Sequence, residues 1–308
     1  MKKKAPKKLA INSVSPALNL ILSLIISLMG VITLAPILLV ISISVSSGSA
    51  ISQNGYQFWP SEFSVDAYKY LIKVGDTMWR AYGNTIFYTV FGTVLSLFVM
   101  SMFAYTLSRK DLKGRTFLAF FTYFTTLFGG GLVPGYILMT RYLQIDNTIW
   151  VFILPGLVSA FHVIMLRTFI QTTIHDSLLE SAKLDGANEY QVYFWIVLPL
   201  FKAGLATIGL FGVVSRWNDW FTGMLYANKE KTLQPIMTFL QMILNNFNHL
   251  KQNSAAAATA EGMRMLKELP TESTQMAITI IAILPLLVCY PFFQKYFIKG
   301  LTVGSVKG

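Results

Sequence analysis

The chain has 308 residues, of which 54% are hydrophobic and 13% charged, and its formal net charge is +11. Such a charge is typical of nucleic-acid binding, but here the Lys and Arg residues stand in short stretches beside long apolar blocks, which favours a membrane protein with no nucleic-acid partner. The single cysteine, Cys289, lies in an apolar block and excludes an internal disulfide or a thiolate–metal framework.

The apolar blocks predict an all-α, polytopic membrane protein. A helix needs about 20 mostly apolar residues to cross the roughly 30 Å hydrocarbon core. The first block exceeds the apolar region of a secretory signal, which is about 7–15 residues long, so a retained helix is expected after the basic tail of residues 1–17. Six blocks reach the length of a span: about Leu18–Val45, Tyr82–Leu107, Phe117–Thr140, Asn147–Phe169, Phe201–Leu225 and Gln275–Phe297.

The basic residues predict the orientation. Fifteen of the 25 Lys and Arg residues fall on the side of both termini, and the longer loops of the other side hold nine. Cytoplasmic loops carry the excess of Lys and Arg, where anionic lipid also attracts them. We therefore expect a multi-pass protein of the cell membrane with both termini in the cytoplasm. Its transmembrane domain is residues 18–297 and its C-terminal tail 298–308.

Two large loops, at about 46–81 and 226–274, fall on the outer side. In the second loop, the apolar residues of Gln234–Asn246 have helical spacing, and Ser254–Leu269 begins with an alanine run followed by apolar residues among charges. This pattern is typical of segments that lie on the outer membrane surface or bind a partner protein. A packed extracellular cap without a partner is an equal alternative.

The third block is interrupted by Phe128-Gly-Gly-Gly-Leu-Val-Pro-Gly135. Three glycines and a proline at membrane depth break a helix, and the freed backbone groups need partners. Broken helices often line a cavity or a substrate path. A kink with close helix–helix packing, which glycine also favours, is the alternative.

A polar stretch, residues 176–199, separates the fourth and fifth blocks on the cytoplasmic side. Ser177 and Glu180 have the spacing of a capping box, and Asp185-Gly186 is a helix stop. Asn188 with Gln191 predicts a second helix start, and Pro199 suits the first turn of the next helix. The stretch therefore predicts a helical hairpin with a glycine turn.

The fifth block contains Ser215-Arg-Trp-Asn-Asp-Trp-Phe221. Arg216 and Asp219 are three residues apart, a spacing that predicts a shared helix face and allows an ion pair. Charges at this depth usually face the bundle interior or water, and aromatic rings with a few polar groups suit a sugar. An aromatic belt with a structural ion pair is the alternative. The candidates for a substrate path are Asn84, Arg216, Trp217, Asn218, Asp219 and Trp220, with His162 and Arg167 as lesser ones.

The motifs that are missing from the sequence limit the chemistry. There is no GxxxxGK[ST] phosphate loop, no HExxH, no GxSxG and no Cys/His cluster among three His residues and one Cys. We therefore expect a non-catalytic chain with no catalytic, cofactor or metal residues of its own.

The polar stretch resembles the EAA loop of binding-protein-dependent ABC importer permeases. That pattern is E-A-A, three residues, G, nine residues and I-x-L-P. All its spacers match here, and Ser181 in place of alanine is the only departure within the motif; downstream, Ala203 and Gly204 stand where a second proline is common. The matching residues are Glu180, Ser181, Ala182, Asp185, Gly186, Ala187, Ile196, Leu198 and Pro199.

Other segments are similar to the branch of that family that imports complex oligosaccharides in Gram-positive bacteria. They are Asn147–Trp150, Leu154–Gly156, Arg167–Phe169, Trp217–Phe221, Gln294–Gly300 and Gly304–Gly308. The resemblance implies the type I ABC importer permease fold, with six transmembrane helices. It also implies a second, different permease, two cytoplasmic ATPase subunits that carry ATP and magnesium, and an extracellular solute-binding lipoprotein that delivers a complex oligosaccharide. The charge of Arg216 favours an acidic oligosaccharide, and neutralisation of that charge by Asp219 is the alternative.

In this family, the helix that corresponds to Glu180–Ala187 couples the ATPase to the membrane helices. Two other functions stay open from the sequence. A stand-alone secondary transporter would use Arg216 and Asp219 for ion coupling, and a membrane enzyme would act on lipid-linked glycans.

Overall fold

The computed structural model describes residues 15–73, 75–252 and 272–305. In these residues the secondary structure is helical, with an isolated antiparallel bridge between Ser46 and Phe63 and no strand. The chain divides into two compact units, residues 1–70 with 270–280, and residues 71–269 with 281–308. The all-α fold is confirmed.

We number the helices in chain order. They are α1 (Pro16–Ser44), α2 (Gly48–Asn54), α3 (Asp66–Lys73), α4 (Asp76–Ser108), α5 (Arg115–Leu127), α6 (Leu132–Ile137), α7 (Trp150–Ile153), α8 (Ala160–Thr173), α9 (Asp176–Leu184), α10 (Glu189–Gln191), α11 (Leu198–Leu200), α12 (Lys202–Trp217), α13 (Phe221–Tyr226), α14 (Ile236–Gln252) and α15 (Glu272–Ser305). The π-helical turns Leu138–Tyr142 and Val192–Val197 extend α6 and join α10 to α11, and Lys231–Leu233 is a 3₁₀ turn.

In the first unit, α1 is apolar on all sides, as expected of a helix in lipid. Its polar C-terminal end is buried instead, because the chain that follows packs back against it. Ser42 Oγ donates to the carbonyl of Gln57 at 2.8 Å, and the Ser44 and Tyr68 hydroxyls are 2.9 Å apart.

Helix α4 is the centre of the second unit, and α5, α8, α12 and α14 pack against it. Its buried side consists largely of small residues, which allow helix backbones to approach closely in a membrane. Ser96 Oγ on this side donates to the carbonyl of Leu157 at 2.6 Å.

The predicted spans agree with the structure in part. By length and composition, α1, α4 and residues Glu272–Phe292 of α15 can cross a membrane. Two bent pairs also qualify as broken spans: Arg115–Leu127 with Leu132–Tyr142, bent by 112°, and Glu189–Leu200 with Lys202–Trp217, bent by 77°. The last helix continues to Ser305, past the predicted end of the sixth span at Phe297.

The fourth predicted span, Asn147–Phe169, is not one continuous helix. Helix α7 ends at Ile153 and α8 begins at Ala160, and the gap contains Pro155 and Gly156, which disfavour a helix interior. With 14 residues, α8 is shorter than a membrane span requires.

The predicted interruption of the third span is confirmed. Helix α5 ends at Leu127 and α6 begins at Leu132 after Gly131, whose φ is +86°. A Cβ built on Gly129 or Gly135 would meet no described atom within 4 Å. Close helix packing within this chain therefore does not explain these two glycines.

The predicted helix in the second outer loop is α14. Ile236 and Leu240 are buried, and Thr238 Oγ1 donates to the carbonyl of Trp220 at 2.9 Å. Helix α14 packs on α4 and α13, as the packed-cap alternative requires. The other helical prediction in this loop, Ser254–Leu269, lies outside the described residues.

Candidate functional site

A polar cavity of about 480 Å³ lies in the second unit, where α12 ends. Helix α4, the break between α7 and α8, and the turn between α12 and α13 form its wall. Four of the six candidates for a substrate path line it: Arg216, Asn218, Asp219 and Trp220.

Arg216 is held by backbone carbonyls. Its Nη1 donates to Phe152 O at 3.1 Å and its Nη2 to Gly156 O at 2.7 Å, across the break between α7 and α8. A Cβ on Gly92 would stand 3.0 Å from the guanidinium carbon, so this glycine leaves room for the arginine. The break and Arg216 therefore support each other.

The prediction of a shared helix face for Arg216 and Asp219 is wrong. Helix α12 ends at Trp217, so the two residues do not share a helical face, and no contact within 4 Å joins their charged groups in the described structure. The Asp219 carboxylate instead accepts the backbone N–H of Thr222 at 3.0 Å, in the first turn of α13.

Trp217 and Asn84 do not line the polar cavity. Trp217 is 4% exposed, and its Nε1 donates to Ala282 O at 2.8 Å. Asn84 Nδ2 donates to Thr232 O at 2.7 Å and anchors the outer loop.

The two lesser candidates differ in their positions. His162 lines the cavity and stacks on Phe211, with ring centroids 6.1 Å apart. Arg167 lies on α8, and its buried Nε has no hydrogen-bond partner among the described residues.

The hairpin over residues 176–191 forms largely as predicted. The N–H of Gly186 bonds to Lys183 O and that of Ala187 to Ala182 O, both at 3.0 Å. These are the two bonds of a Schellman motif, and Gly186 supplies its left-handed residue with φ of +85°. Asn188 and Gln191 form the predicted capping box, with bonds of 2.9 Å and 2.8 Å.

The other predicted capping box, Ser177 with Glu180, is absent. Helix α9 begins at Asp176, and its N-cap residue is His175 with no capping side chain. Ser177 is therefore already inside the helix. Glu180 is exposed, and its carboxylate has no hydrogen bond or ion pair in the described part of the chain.

Helix α9 has one face packed in the core and two exposed leucines, Leu178 and Leu184. Leu179 and Ala182 are buried against the core, whereas Leu184 is 89% exposed. Of the other motif residues, Ser181 donates to Leu178 O and Asp185 is the C-cap residue of α9. Ile196 and Leu198 pack on the same core, and Pro199 precedes the 77° bend.

A cluster of charges next to the hairpin was missed from the sequence. We call it the polar clamp, and it consists of Tyr105, Arg109, Asp111, Lys183 and Glu189. Glu189 accepts from Tyr105 Oη at 2.7 Å, pairs with Lys183 at 2.5 Å and lies 3.7 Å from Arg109. Arg109 also binds Asp111 through two bonds of 3.1 Å and 3.0 Å.

The contacts within the polar clamp favour the charged forms of three of its members, Asp111, Lys183 and Glu189. The bond from Arg109 lowers the pKa of Asp111 to about 2. Burial alone would raise the pKa of Glu189, but the bonds from Lys183 and Tyr105 outweigh it and the pKa is lowered. The bond to Glu189 raises the pKa of Lys183. These groups are charged at neutral pH.

Comparison with known proteins decides the family, although no family model matches the sequence. The polygalacturonan/rhamnogalacturonan transport system permease protein YtcP of Bacillus subtilis (strain 168) is 37% identical over 90% of this chain and 93% of its own length. Protein LplC of the same organism is 38% identical over 91% of each. The chain belongs to the carbohydrate ABC transporter permeases.

A solved structure agrees with this assignment. The crystal structure of a bacterial ABC transporter involved in the import of the acidic polysaccharide alginate has a chain that matches this permease with a TM-score of 0.77 and 31% identity. The match covers 92% of the permease and 99% of that chain. The permease is thus a membrane-embedded transport subunit, and the alternative of a stand-alone secondary transporter is not supported.

Proposed function

We propose that this permease forms half of the translocation path of an ATP-driven importer, in which separate subunits hydrolyse ATP. The remaining subunits are a second, different permease, two cytoplasmic ATPase subunits that hold ATP and magnesium, and an extracellular solute-binding lipoprotein. The permease itself carries no cofactor. Membership of the family supports this assembly.

The exposed face of α9 is the observation that carries the proposal. A leucine that is 89% exposed and an unpaired carboxylate, Leu184 and Glu180, stand on a helix whose opposite face is buried in the core. Leu178 of the same helix is also exposed, and burial of both leucines in a protein groove would stabilise a complex. Helix α9 is therefore the docking element for an ATPase subunit.

The orientation follows from the basic residues. The side of the hairpin holds 15 of the 25 Lys and Arg residues, including both ends of the chain. The positive-inside rule puts this side in the cytoplasm, where ATP is available.

The proposed cargo is an acidic oligosaccharide. One relative is named for transport of polygalacturonan, a chain of uronic acids, and the matching crystal structure concerns the acidic polysaccharide alginate. In the polar cavity, Arg216 supplies a positive charge and Trp220 an aromatic face, which suit carboxylate and sugar ring respectively. Asp219 in the same wall supplies an acceptor for hydroxyl groups.

The test uses the complete transporter, co-expressed and assayed for uptake. Glu180→Lys reverses the exposed charge of α9. Gly186→Pro removes the N–H that bonds to Lys183 O and forbids a φ of +85°. Both variants are expected to reach the membrane and to abolish uptake. Ser181→Ala, which restores the common family residue, is the control and should transport normally. Normal ATPase assembly and uptake in both Glu180→Lys and Gly186→Pro would contradict the proposal.

A further inference from the structure

Glu189 joins the hairpin to the end of α4 and the loop after it, and its bond to Tyr105 spans 84 residues of sequence. Its Oε2 accepts from Tyr105 near the end of α4, and its Oε1 contacts Lys183 of α9 and Arg109 of the loop after α4. Lys183 also reaches Asp111 in that loop at 3.4 Å. The hairpin is thereby attached to the end of α4 through Glu189 and to the loop after α4 through Lys183.

The surroundings distinguish this cluster from ordinary surface ion pairs. Exposed pairs contribute little, because water screens them and long side chains lose entropy. The Lys183 and Glu189 side chains are 37% and 51% exposed, but their partners are buried: the Arg109 side chain is only 15% exposed and Tyr105 is 7% exposed. A planar guanidinium with two bonds to one carboxylate also has a fixed geometry. The cluster therefore has a defined position on α4.

Helix α4 connects the polar clamp to the polar cavity. The same continuous helix carries Tyr105 and also Thr93, Ser96 and Met100, which line the cavity. A displacement of α9 that is carried into α4 therefore reaches the cavity wall without crossing a flexible loop.

We propose that Arg109, Lys183 and Glu189 are positioning residues that transmit the movement of α9 to α4 and so couple ATP hydrolysis to opening of the cavity. This inference rests on the proposed docking of an ATPase subunit at α9. The alternative path, through Gly186 and the turns that follow it, contains a glycine and a capped helix start, which bend more easily than a bonded cluster. Leu179 and Ala182 of α9 also pack in the apolar cluster that contains Leu107 of α4, but apolar contacts lack the fixed bonding partners of the polar clamp. Without the polar clamp, α4 therefore follows α9 less closely.

The experiment measures uptake per ATP hydrolysed by the complete transporter in liposomes. Glu189→Gln removes the charge but keeps an oxygen that accepts from Tyr105, and Tyr105→Phe removes a single hydroxyl. We expect Glu189→Gln to retain ATPase subunits and ATP hydrolysis while uptake per ATP falls roughly fivefold or more, the usual lower range for coupling between sites. Asp66→Asn, which breaks the exposed pair with Lys69, is the control and should change nothing.

A double-mutant cycle separates coupling from a general loss of stability. Lys183→Met removes the other charge of the 2.5 Å pair with Glu189. If Lys183 and Glu189 act through this pair, the Lys183→Met, Glu189→Gln double variant is no worse than the more severe single variant. Should Glu189→Gln lower the amount of assembled transporter, Lys183→Met alone decides. Tyr105→Phe removes only the neutral partner of Glu189 and should lower uptake per ATP less than Glu189→Gln. Unchanged uptake per ATP in the assembled double variant would overturn the inference. If Glu180→Lys abolishes uptake in the same assay while the double variant leaves uptake per ATP unchanged, the docking proposal for α9 stands. Only the transmission through the polar clamp is then excluded.

Discussion

Arg216 bonds to two backbone carbonyls, one in α7 and one in the break that follows it, and these bonds set the position of its charge on the cavity wall. Only the guanidinium has donors in a fork that reaches both carbonyls, since a lysine ammonium is a single point. Arg216 is therefore a structural bridge, and in the proposed function it is also the positive group that an acidic sugar meets.

Replacing Arg216 by lysine is expected to weaken transport of acidic oligosaccharides while charge is retained. One of the two carbonyls loses its donor, at a cost of about 1 kcal/mol, and the remaining charge shifts from its site. Uptake of a uronic acid trisaccharide should fall more than uptake of a neutral trisaccharide of the same length. Equal reduction for the two sugars would contradict a role for Arg216 in recognising the carboxylate.

At this scale, sequence spacing predicted contacts within a helix turn and missed contacts between distant segments. The Asn188–Gln191 cap was predicted correctly, because both partners lie in one turn. The shared helix face of Arg216 and Asp219 was predicted wrongly, since the end of α12 at Trp217 changes the direction of the chain. The contacts of Glu189 were not predicted from the sequence, because its partners lie on other elements.

At the scale of elements, the last helix explains the position of Trp217. Pro285 has no N–H, so the carbonyl of Ile281 lacks its usual partner within α15. The Tyr82 hydroxyl donates to Ile281 O, and Trp217 Nε1 donates to the neighbouring carbonyl, Ala282 O. The side chain that the sequence suggested for substrate binding thus anchors α12 to the turn of α15 that precedes a proline.

Trp217→Phe is expected to destabilise the permease moderately and to leave its choice of sugar unchanged. The variant keeps most of the buried aromatic surface and loses one hydrogen bond, which contributes about 0.6 kcal/mol on average in membrane proteins. Thermal unfolding in detergent should show a small decrease in the melting temperature. Trp220→Phe, at the cavity wall, is the matched control. A change in sugar preference for Trp217→Phe would instead favour the substrate path.

Broken helices are the feature that sequence composition could locate but not describe. The glycine-rich interruption between α5 and α6 was visible because several helix breakers stand together. Pro155-Gly156 was read as part of a continuous span, because a single Pro-Gly pair in a long apolar block also occurs in kinked helices. The outcome depends on a partner for the freed carbonyls, and here that partner is Arg216, 60 residues or more away along the chain.

At the scale of the whole molecule, composition and motif spacing were enough to predict the class of protein. The length of each apolar block is enough to predict a membrane span, and the residues of the EAA motif lie close together in the sequence. The polar cavity, by contrast, is lined by side chains from α4, α8 and α12 that only the folded chain brings together.

The orientation of the whole chain is testable with single cysteines in a Cys289→Ser background. Lys110→Cys and Leu184→Cys lie at exposed positions beside the hairpin, and Trp59→Cys and Asn228→Cys at exposed positions in the outer loops. Because the excess of basic residues stays in the cytoplasm, a membrane-impermeant thiol reagent should label the outer pair in intact cells. It should label the hairpin pair only after permeabilisation. The opposite pattern would put α9 outside the cell, where no ATPase subunit can reach it, and would exclude both the docking at α9 and the transmission through the polar clamp.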